Sequence, residues 1–426
     1  MNLLATARRH VPIRRTVRIG ITGLARAGKT ALLTSLAANL QAPNALNRRD
    51  LHVRPAPSGA DGVPRFNVAA HLAALAADPP HWPARTDSVS LLALDIDVAR
   101  PPWPTRRLRL ELLDYPGEWL LDLPLLTQTF PAWSAATLRR LESRPEARAF
   151  LAFVHGLPAA AADESLATAG AALYRTLLHR LRDAGLSTLQ PGRLLMPPPG
   201  AEPPWMTLFP HPGSGPLASL LARRYDAYCA AVRRDLAAPG FGHIDRIVVL
   251  ADLLTALHAG EAAFTDTAAA LAAVATALRW RTTPAFLPGW LAGLLPLGGI
   301  ARVAFAATKS DHVADRQRRN LAALMESLVA AGPAQAHSFA IAAMRCTEDF
   351  VWTLEGRPVS AVRGRVAGLG LVGSYPGEVP DRLPGPEFWA HKFLHIPDFE
   401  PVRLPREGMP NINLDALLAF LLDDVL

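Results

Sequence analysis

Cysteine is nearly absent: Cys229 and Cys346 are the only two in 426 residues, too few for a disulfide framework, and nothing forces even one bridge. Charge is sparse as well, at 19% of residues with a net charge of +7, which suits neither an acidic disordered chain nor a histone-like nucleic-acid binder. The 13 histidines are scattered without metal-ligand spacing, and no Gly-x-Ser-x-Gly elbow is present. The pairs Arg14–Arg15, Arg223–Arg224 and Arg233–Arg234 read as solvated faces without interleaved aromatics, so no nucleic-acid partner is expected. The first 18 residues carry five arginines and no apolar run of signal-peptide length, which points to a reducing cytoplasm.

Long apolar runs are also scarce. The exception is 284–301, eighteen residues without a charge, which reaches the minimum for a bilayer span. Pro284, Pro288 and Pro296 make it a poor helix, and it reads first as a packed connector. Direct membrane contact through it is the less favoured alternative, and would place the protein peripherally at a membrane surface.

The rarest charged residue is lysine. Of 44 basic residues only Lys29, Lys309 and Lys392 are lysines. A chain that writes nearly every positive charge as arginine has kept a compact ammonium at three places, and two of them fall inside recognisable motifs.

The first motif is Gly23 to Thr30, GLARAGKT, which satisfies G-x-x-x-x-G-K-[ST] between a β-branched strand pattern (TVRIGIT) and a helical one (ALLTSLAANL). In that context the backbone of Gly23, Arg26, Ala27, Gly28 and Ala31 would cradle phosphates, Lys29 would reach the β and γ phosphates, and Thr30 would ligate Mg²⁺. The second is Asp114-Tyr115-Pro116-Gly117, at the end of a strand pattern: Asp114 would hold Mg²⁺ through water and Gly117 would sense the γ-phosphate. The third is Thr308-Lys309-Ser310-Asp311, also after a strand, where a carboxylate can accept both guanine N1–H and N2–H while adenine offers no such pair. The next strand end places Ala343 and Met344 against the base edge. Thr86, in WPART, is the candidate switch ligand for Mg²⁺, and Arg85 or Arg26 could neutralise transition-state charge. Glu118 stands where a water-orienting Gln would follow Gly117, so water activation is unassigned.

Strand patterns at 89–98, 107–113, 246–251, 303–308 and 338–343 alternate with helical ones at 262–279 and 316–331. The expected fold is α/β, a P-loop NTPase core with a mainly parallel sheet. Residues 1–121 and 241–350 form that core. A large helical insertion spans 122–240, with helices at 135–152, 164–184 and 216–236 and a flexible proline-rich connector at 190–215. A strand-and-loop extension over 351–426 ends in a helix at 414–422.

Taken together, GLARAGKT at 23–30, WPARTDSVS at 82–90, LDYPGEWLLDLPLL at 113–126, IVVLADLLTALHAGEAAF at 247–264, AATKSDHV at 306–313, AIAAMRCTED at 340–349 and SYPGEVPDRLPGPEFW at 374–389 resemble the YcjX-like family of bacterial P-loop NTPases. The resemblance implies a GTPase-like core, GDP/GTP binding with Mg²⁺-dependent hydrolysis, a link to envelope stress, and an inner-membrane protein as partner. Carried over by motif, Lys29, Thr30, Asp114, Gly117, Lys309 and Asp311 are its nucleotide residues and Thr86 its switch threonine. Thr308 departs from the Asn usual in GTPases. Two rivals stay open at this point: an ATPase of the same fold, and a nucleotide-stabilised scaffold without turnover.

Overall fold

The computed structural model describes residues 15–43, 48–57, 63–84, 89–158, 164–197, 200, 202–237, 244–282, 300–354 and 356–426. Arg85, Thr86 and 284–299 lie outside them.

The β-branched run at the start becomes β1 (Arg15–Gly23), buried on both faces along its second half, as a central parallel strand must be. It leads through the glycine loop into α1 (Lys29–Leu40). Then come β2 (Leu51–Pro55), α2 (Val68–Ala76), and a hairpin of β3 (Ser90–Arg100) and β4 (Trp103–Asp114). A short helix α3 (Gly117–Leu120) follows, and four longer ones: α4 (Phe130–Glu142), α5 (Arg148–His155), α6 (Glu164–Asp183) and α7 (Pro216–Ala237). The sheet resumes with β5 (Arg246–Ala251), followed by α8 (Leu253–His258), α9 (Glu261–Thr282), β6 (Arg302–Ala307), α10 (Asp315–Leu328) and β7 (Ala336–Ala340). β8 (Thr347–Leu354), β9 (Arg357–Val366) and β10 (Gly370–Ser374) form a separate antiparallel sheet, and the chain closes with α11 (Pro386–Trp389) and α12 (Leu414–Leu422).

The main sheet has seven strands in the order β2-β3-β4-β1-β5-β6-β7. β4, β1, β5, β6 and β7 run parallel; β3 is antiparallel to its neighbours β4 and β2. Chain order reverses direction at β1, so the carboxyl ends of β1, β4 and β5 frame a crevice there, the usual ligand position in such sheets.

Alternation along the strands divides the core. Ile19, Ile21, Leu110, Val248 and Ala304 pack under α1 and α12. Val249, Val303 and Phe305 face the other way, toward α9, α10 and the helices between β4 and β5. Each fully buried Leu or Ile contributes about 1.5–3 kcal/mol. The last residues are tied in too, since Arg246 at the start of β5 is 2% exposed and donates to Asp424 at 2.7 Å. Among the described residues one helix, Glu261–Arg279, is long and apolar enough to cross a membrane by length and composition, but Phe264, Leu271, Val274 and Leu278 on it are core residues.

Three expectations need correction. The helix expected at 135–152 is two helices, α4 and α5, because Ser143-Arg144-Pro145 breaks it. β2 was not expected at all: it is an edge strand with only Leu51 buried, too short and too exposed to leave an apolar run. The proline-rich 190–215 is not a flexible connector where it is described, since Arg193, Leu194, Met206, Leu208 and Phe209 are each at most 1% exposed. Side-chain and backbone groups from other elements satisfy it: Gln190 Nε2 donates to the Leu121 carbonyl at 2.6 Å, and the Gln190 carbonyl accepts from Tyr174 Oη at 2.6 Å.

Candidate functional site

β1 ends at Gly23, and the next amide, Leu24 N–H, donates to the Leu250 carbonyl of β5 at 2.9 Å, fixing where the loop leaves the sheet. The loop then turns through two left-handed residues, Arg26 (φ 62°) and Gly28 (φ 84°), the backbone states from which anion-binding curls are built. Gly28 is the N-cap of α1 and offers no side chain, so no side-chain cap satisfies the first amides of that helix. A helix N-terminus of this kind favours an anion.

Opposite stands the end of β4. Asp114 pairs in register with Ile21 of β1 and is 3% exposed; the Tyr115 amide donates to the Ile21 carbonyl at 2.8 Å. A cleft of about 1050 Å³ opens between the two motifs. Arg26, Ala27, Gly28, Lys29, Thr30 and Ala31 form one wall of it, with Asp114, Pro116 and Glu118 beside them and Lys309 at one end. The far wall comes from the helical block: Arg182 and Asp183 at the end of α6, and Leu195–Pro197. Gly23 and Gly117 do not line it. They sit behind it in mutual contact, so close that a Cβ on Gly117 would stand 1.6 Å from the Gly23 carbonyl oxygen.

Thr30 and Asp114 bring a hydroxyl and a carboxylate, hard oxygen donors that suit Mg²⁺. Among the described residues no group of three or more His, Cys, Asp or Glu could hold a metal by itself. The donor set therefore fits an ion that takes its remaining ligands from phosphate and water.

The third motif lines a second cavity of about 450 Å³, together with Ala343 and Met344. Lys309 adopts a left-handed conformation (φ 57°) and pairs with Asp252 at 2.6 Å. Asp252 follows β5 and caps α8, accepting the Thr255 amide at 3.0 Å and its hydroxyl at 2.6 Å, so the lysine is anchored to a fixed carboxylate. Asp311 is 2% exposed. Its Oδ2 accepts the Cys346 amide at 2.8 Å, and its Oδ1 is 3.9 Å from His312 Nε2. Burial pushes the His312 imidazole below its usual value, so at neutral pH it does not compensate the carboxylate. Thr308 Oγ1 donates to the Ala251 carbonyl at 3.3 Å, holding the motif to β5. The 342–345 loop is pinned from the end of the chain: the Ala342 amide donates to the Ile412 carbonyl at 3.1 Å and the Arg345 amide to the Pro410 carbonyl at 2.7 Å.

Among the described residues, every predicted site residue but Gly23 and Gly117 therefore lies on one of two cavities, and Arg85 and Thr86 fall outside that description. Sequence reasoning missed Trp82, Asp252, Asp398, Arg182 and Asp183. Asp252 carried a signal, a carboxylate directly after a strand and before a helix, and Trp82 opened the WPART segment; Asp398, Arg182 and Asp183 had none, because they arrive from remote segments.

Comparison with known proteins agrees with this geometry. The model of the YcjX-like family, DUF463, matches residues 17–426. A protein of Escherichia coli (strain K12) named Ras-like GTPase YcjX is 33% identical over 453 residues, covering 97% of this chain and 96% of its own. One of the same name from Shewanella oneidensis is 30% identical over 467 residues, covering 97% of this chain and 95% of its own. With nearly its whole length matched and its phosphate-loop, Asp114 and Asp311 motifs gathered at one sheet edge, the chain belongs to the YcjX-like family.

Proposed function

We propose that this protein is a guanine-nucleotide switch that binds GTP with Mg²⁺ and hydrolyses it. One observation carries the reading. The phosphate cleft and the Asp311 cavity adjoin, sharing Ala27, Gly28, Ala31, Trp82, Lys309 and Asp398, so a single nucleotide can occupy both.

In this reading Lys29 and the 26–31 backbone bind phosphates, and Thr30 and Asp114 hold the metal, with Thr86 as a further ligand. When bound, Mg²⁺ neutralises charge on the phosphate oxygens. Asp311 accepts the two guanine N–H groups, with Ala343 and Met344 at the base edge. Gly117 reports the γ-phosphate: since its backbone already touches Gly23, the 114–118 loop cannot move without the phosphate loop responding. Residues 122–240 act as the output domain on a core of 1–121 and 241–350, with 351–426 completing the base side.

The test is displacement of bound GDP by unlabelled GDP or ADP with Mg²⁺ present, for the parent and for Asp311→Asn. The variant keeps the acceptor for Cys346 N–H but replaces half of the carboxylate by a donor. GDP should compete at least about a hundredfold better than ADP, and the variant should lose most of that preference. Equal competition by ADP in the parent refutes guanine selectivity, and an ATPase becomes the better description. GDP binding with turnover no faster than solution hydrolysis refutes the enzyme and leaves the scaffold.

A further inference from the structure

The two cavities meet along a seam, and that seam is where a nucleotide's sugar must lie if its phosphates occupy one chamber and its base the other. Six described residues line both chambers. Ala27, Gly28 and Ala31 present no polar side chain. Lys309 is a donor already paired with Asp252 at 2.6 Å, and Trp82 is a donor whose Nε1–H goes to the Phe399 carbonyl at 3.0 Å. Among these six, Asp398 is the one side chain that can accept a hydrogen bond.

Asp398 is also held in place. Its neighbour Phe399 is 2% exposed, bridges to Val366 of β9, and sets its ring against His312 with centroids 5.2 Å apart. The Glu400 amide donates to the Arg365 carbonyl at 2.8 Å. With the Trp82 bond, these contacts tie the backbone on the far side of Asp398 to the 357–366 strand and to the Asp311 motif, while the Asp398 side chain itself is exposed toward the cavities. An acidic side chain facing vicinal hydroxyls is a proven way to recognise ribose, because each hydroxyl donates to a carboxylate oxygen without competing for water.

We infer that Asp398 is the ribose-reading residue of this site, accepting hydrogen bonds from the 2′- and 3′-hydroxyls, and that the C-terminal region thereby selects ribonucleotides over deoxyribonucleotides. The inference rests on the nucleotide reading above and deepens it. It gives the C-terminal region a part in ligand choice separate from the base reading by Asp311.

The experiment is isothermal titration of the full chain with GDP and with 2′,3′-dideoxy-GDP, both unlabelled because ribose-linked fluorophores would occupy the tested position. ADP is titrated in parallel. The parent should bind GDP at least about tenfold more tightly than the dideoxy analogue. Asp398→Ala should bring the two within about threefold while keeping GDP favoured over ADP, and Asp398→Asn, which keeps one acceptor, should fall between. Equal binding of GDP and the dideoxy analogue by the parent overturns the ribose assignment and leaves guanine recognition standing. Full discrimination in a folded Asp398→Ala protein overturns it as well. A parent that binds no guanine nucleotide overturns both readings together.

Discussion

Gly192→Ala tests the contact through which the 114–122 segment is joined to the helical block. A Cβ built on Gly192 would stand 1.7 Å from the Glu118 carbonyl oxygen and 2.4 Å from its carbon. Ordinary contact begins near 3.4 Å, so the two backbones must part by about 1.7 Å, and no side-chain rotation relieves a clash of backbone with Cβ. Three hydrogen bonds cross the same gap: Gly192 N–H to Asp122 Oδ1 at 2.7 Å, Gln190 Nε2 to Leu121 O at 2.6 Å, and Trp119 Nε1 to Met196 O at 2.8 Å. Separation of that size ends the first, a buried bond to a carboxylate, and stretches the others beyond bonding distance. Overpacking of this kind costs about 1–3 kcal/mol and loss of a charge-assisted bond about 1.5–3. Partial relaxation brings the expected total to about 3 kcal/mol, concentrated locally. Hydrogen-exchange mass spectrometry reads it directly. Peptides covering 115–123 and 189–197 should exchange about a hundredfold faster, since each 1.4 kcal/mol of opening energy is tenfold in rate. Gly385→Ala is the control, because its Cβ would meet nothing within 4 Å. Exchange within threefold of the parent in both peptides would refute the idea that this contact couples the two parts.

Asp122 gives a pH dependence. Its carboxyl is fully buried and burial pushes it up to about 6 from 3.8, despite bonds from Tyr228 Oη at 2.6 Å and from the Gly192 amide. The fold thus holds this proton more tightly than the unfolded chain does, so the group favours folding below about pH 4 and that contribution is lost as pH rises through about 6. Asp122→Asn cannot titrate, and its stability relative to the parent should rise by about 2 kcal/mol between pH 4 and 7; urea unfolding at the two pH values would disprove this by showing a constant difference. Lys309→Ala breaks an ion pair whose lysine is 39% exposed and whose aspartate is 5% exposed, so thermal unfolding should report a loss of only about 1–2 kcal/mol. GDP affinity should fall at least about tenfold by titration. Unchanged affinity with intact folding would remove Lys309 from the site.

What was legible in the sequence was local. GLARAGKT between a strand and a helix, DYPG after a strand and TKSD after another each carry their context within about fifteen residues, and the folded chain brings them to one sheet edge. The strands from Arg246 and Arg302 and the helix Leu414–Leu422 were readable because apolar runs and periodicity are properties of the segment alone. What was illegible is set by partners. Nothing in LHVRP announces a strand until β3 lies beside it to accept its pairing. The proline-rich 190–197 reads as exposed, yet Tyr174, Asp122 and Leu121, remote in sequence, satisfy its polar groups and allow it to be buried.

The same distinction accounts for the assembled site. The 25–31 wall of the first cavity is one continuous segment, and one segment can be recognised by its own pattern. The second cavity is walled by Trp82, Thr308, Lys309, Asp311, His312, 341–344 and 398–399 beside residues of the 27–32 segment, and the 342–345 loop is held by Pro410 and Ile412. No single one of these predicts the others. A ligand bridging the seam touches pieces from both ends of the chain, so its binding energy is also cohesion between them. At a hundredfold over its dissociation constant it would add about 2.7 kcal/mol to the stability of whatever unit those pieces share. If that unit is the whole core, nucleotide protects the C-terminal sheet and the phosphate loop to the same degree. If the C-terminal region opens independently, protection is graded, strongest at the 23–31 loop and weakest beyond Phe399, where it is carried by the Trp82–Phe399 bond, the Phe399–His312 ring contact and the bonds of 410–412 to 342–345.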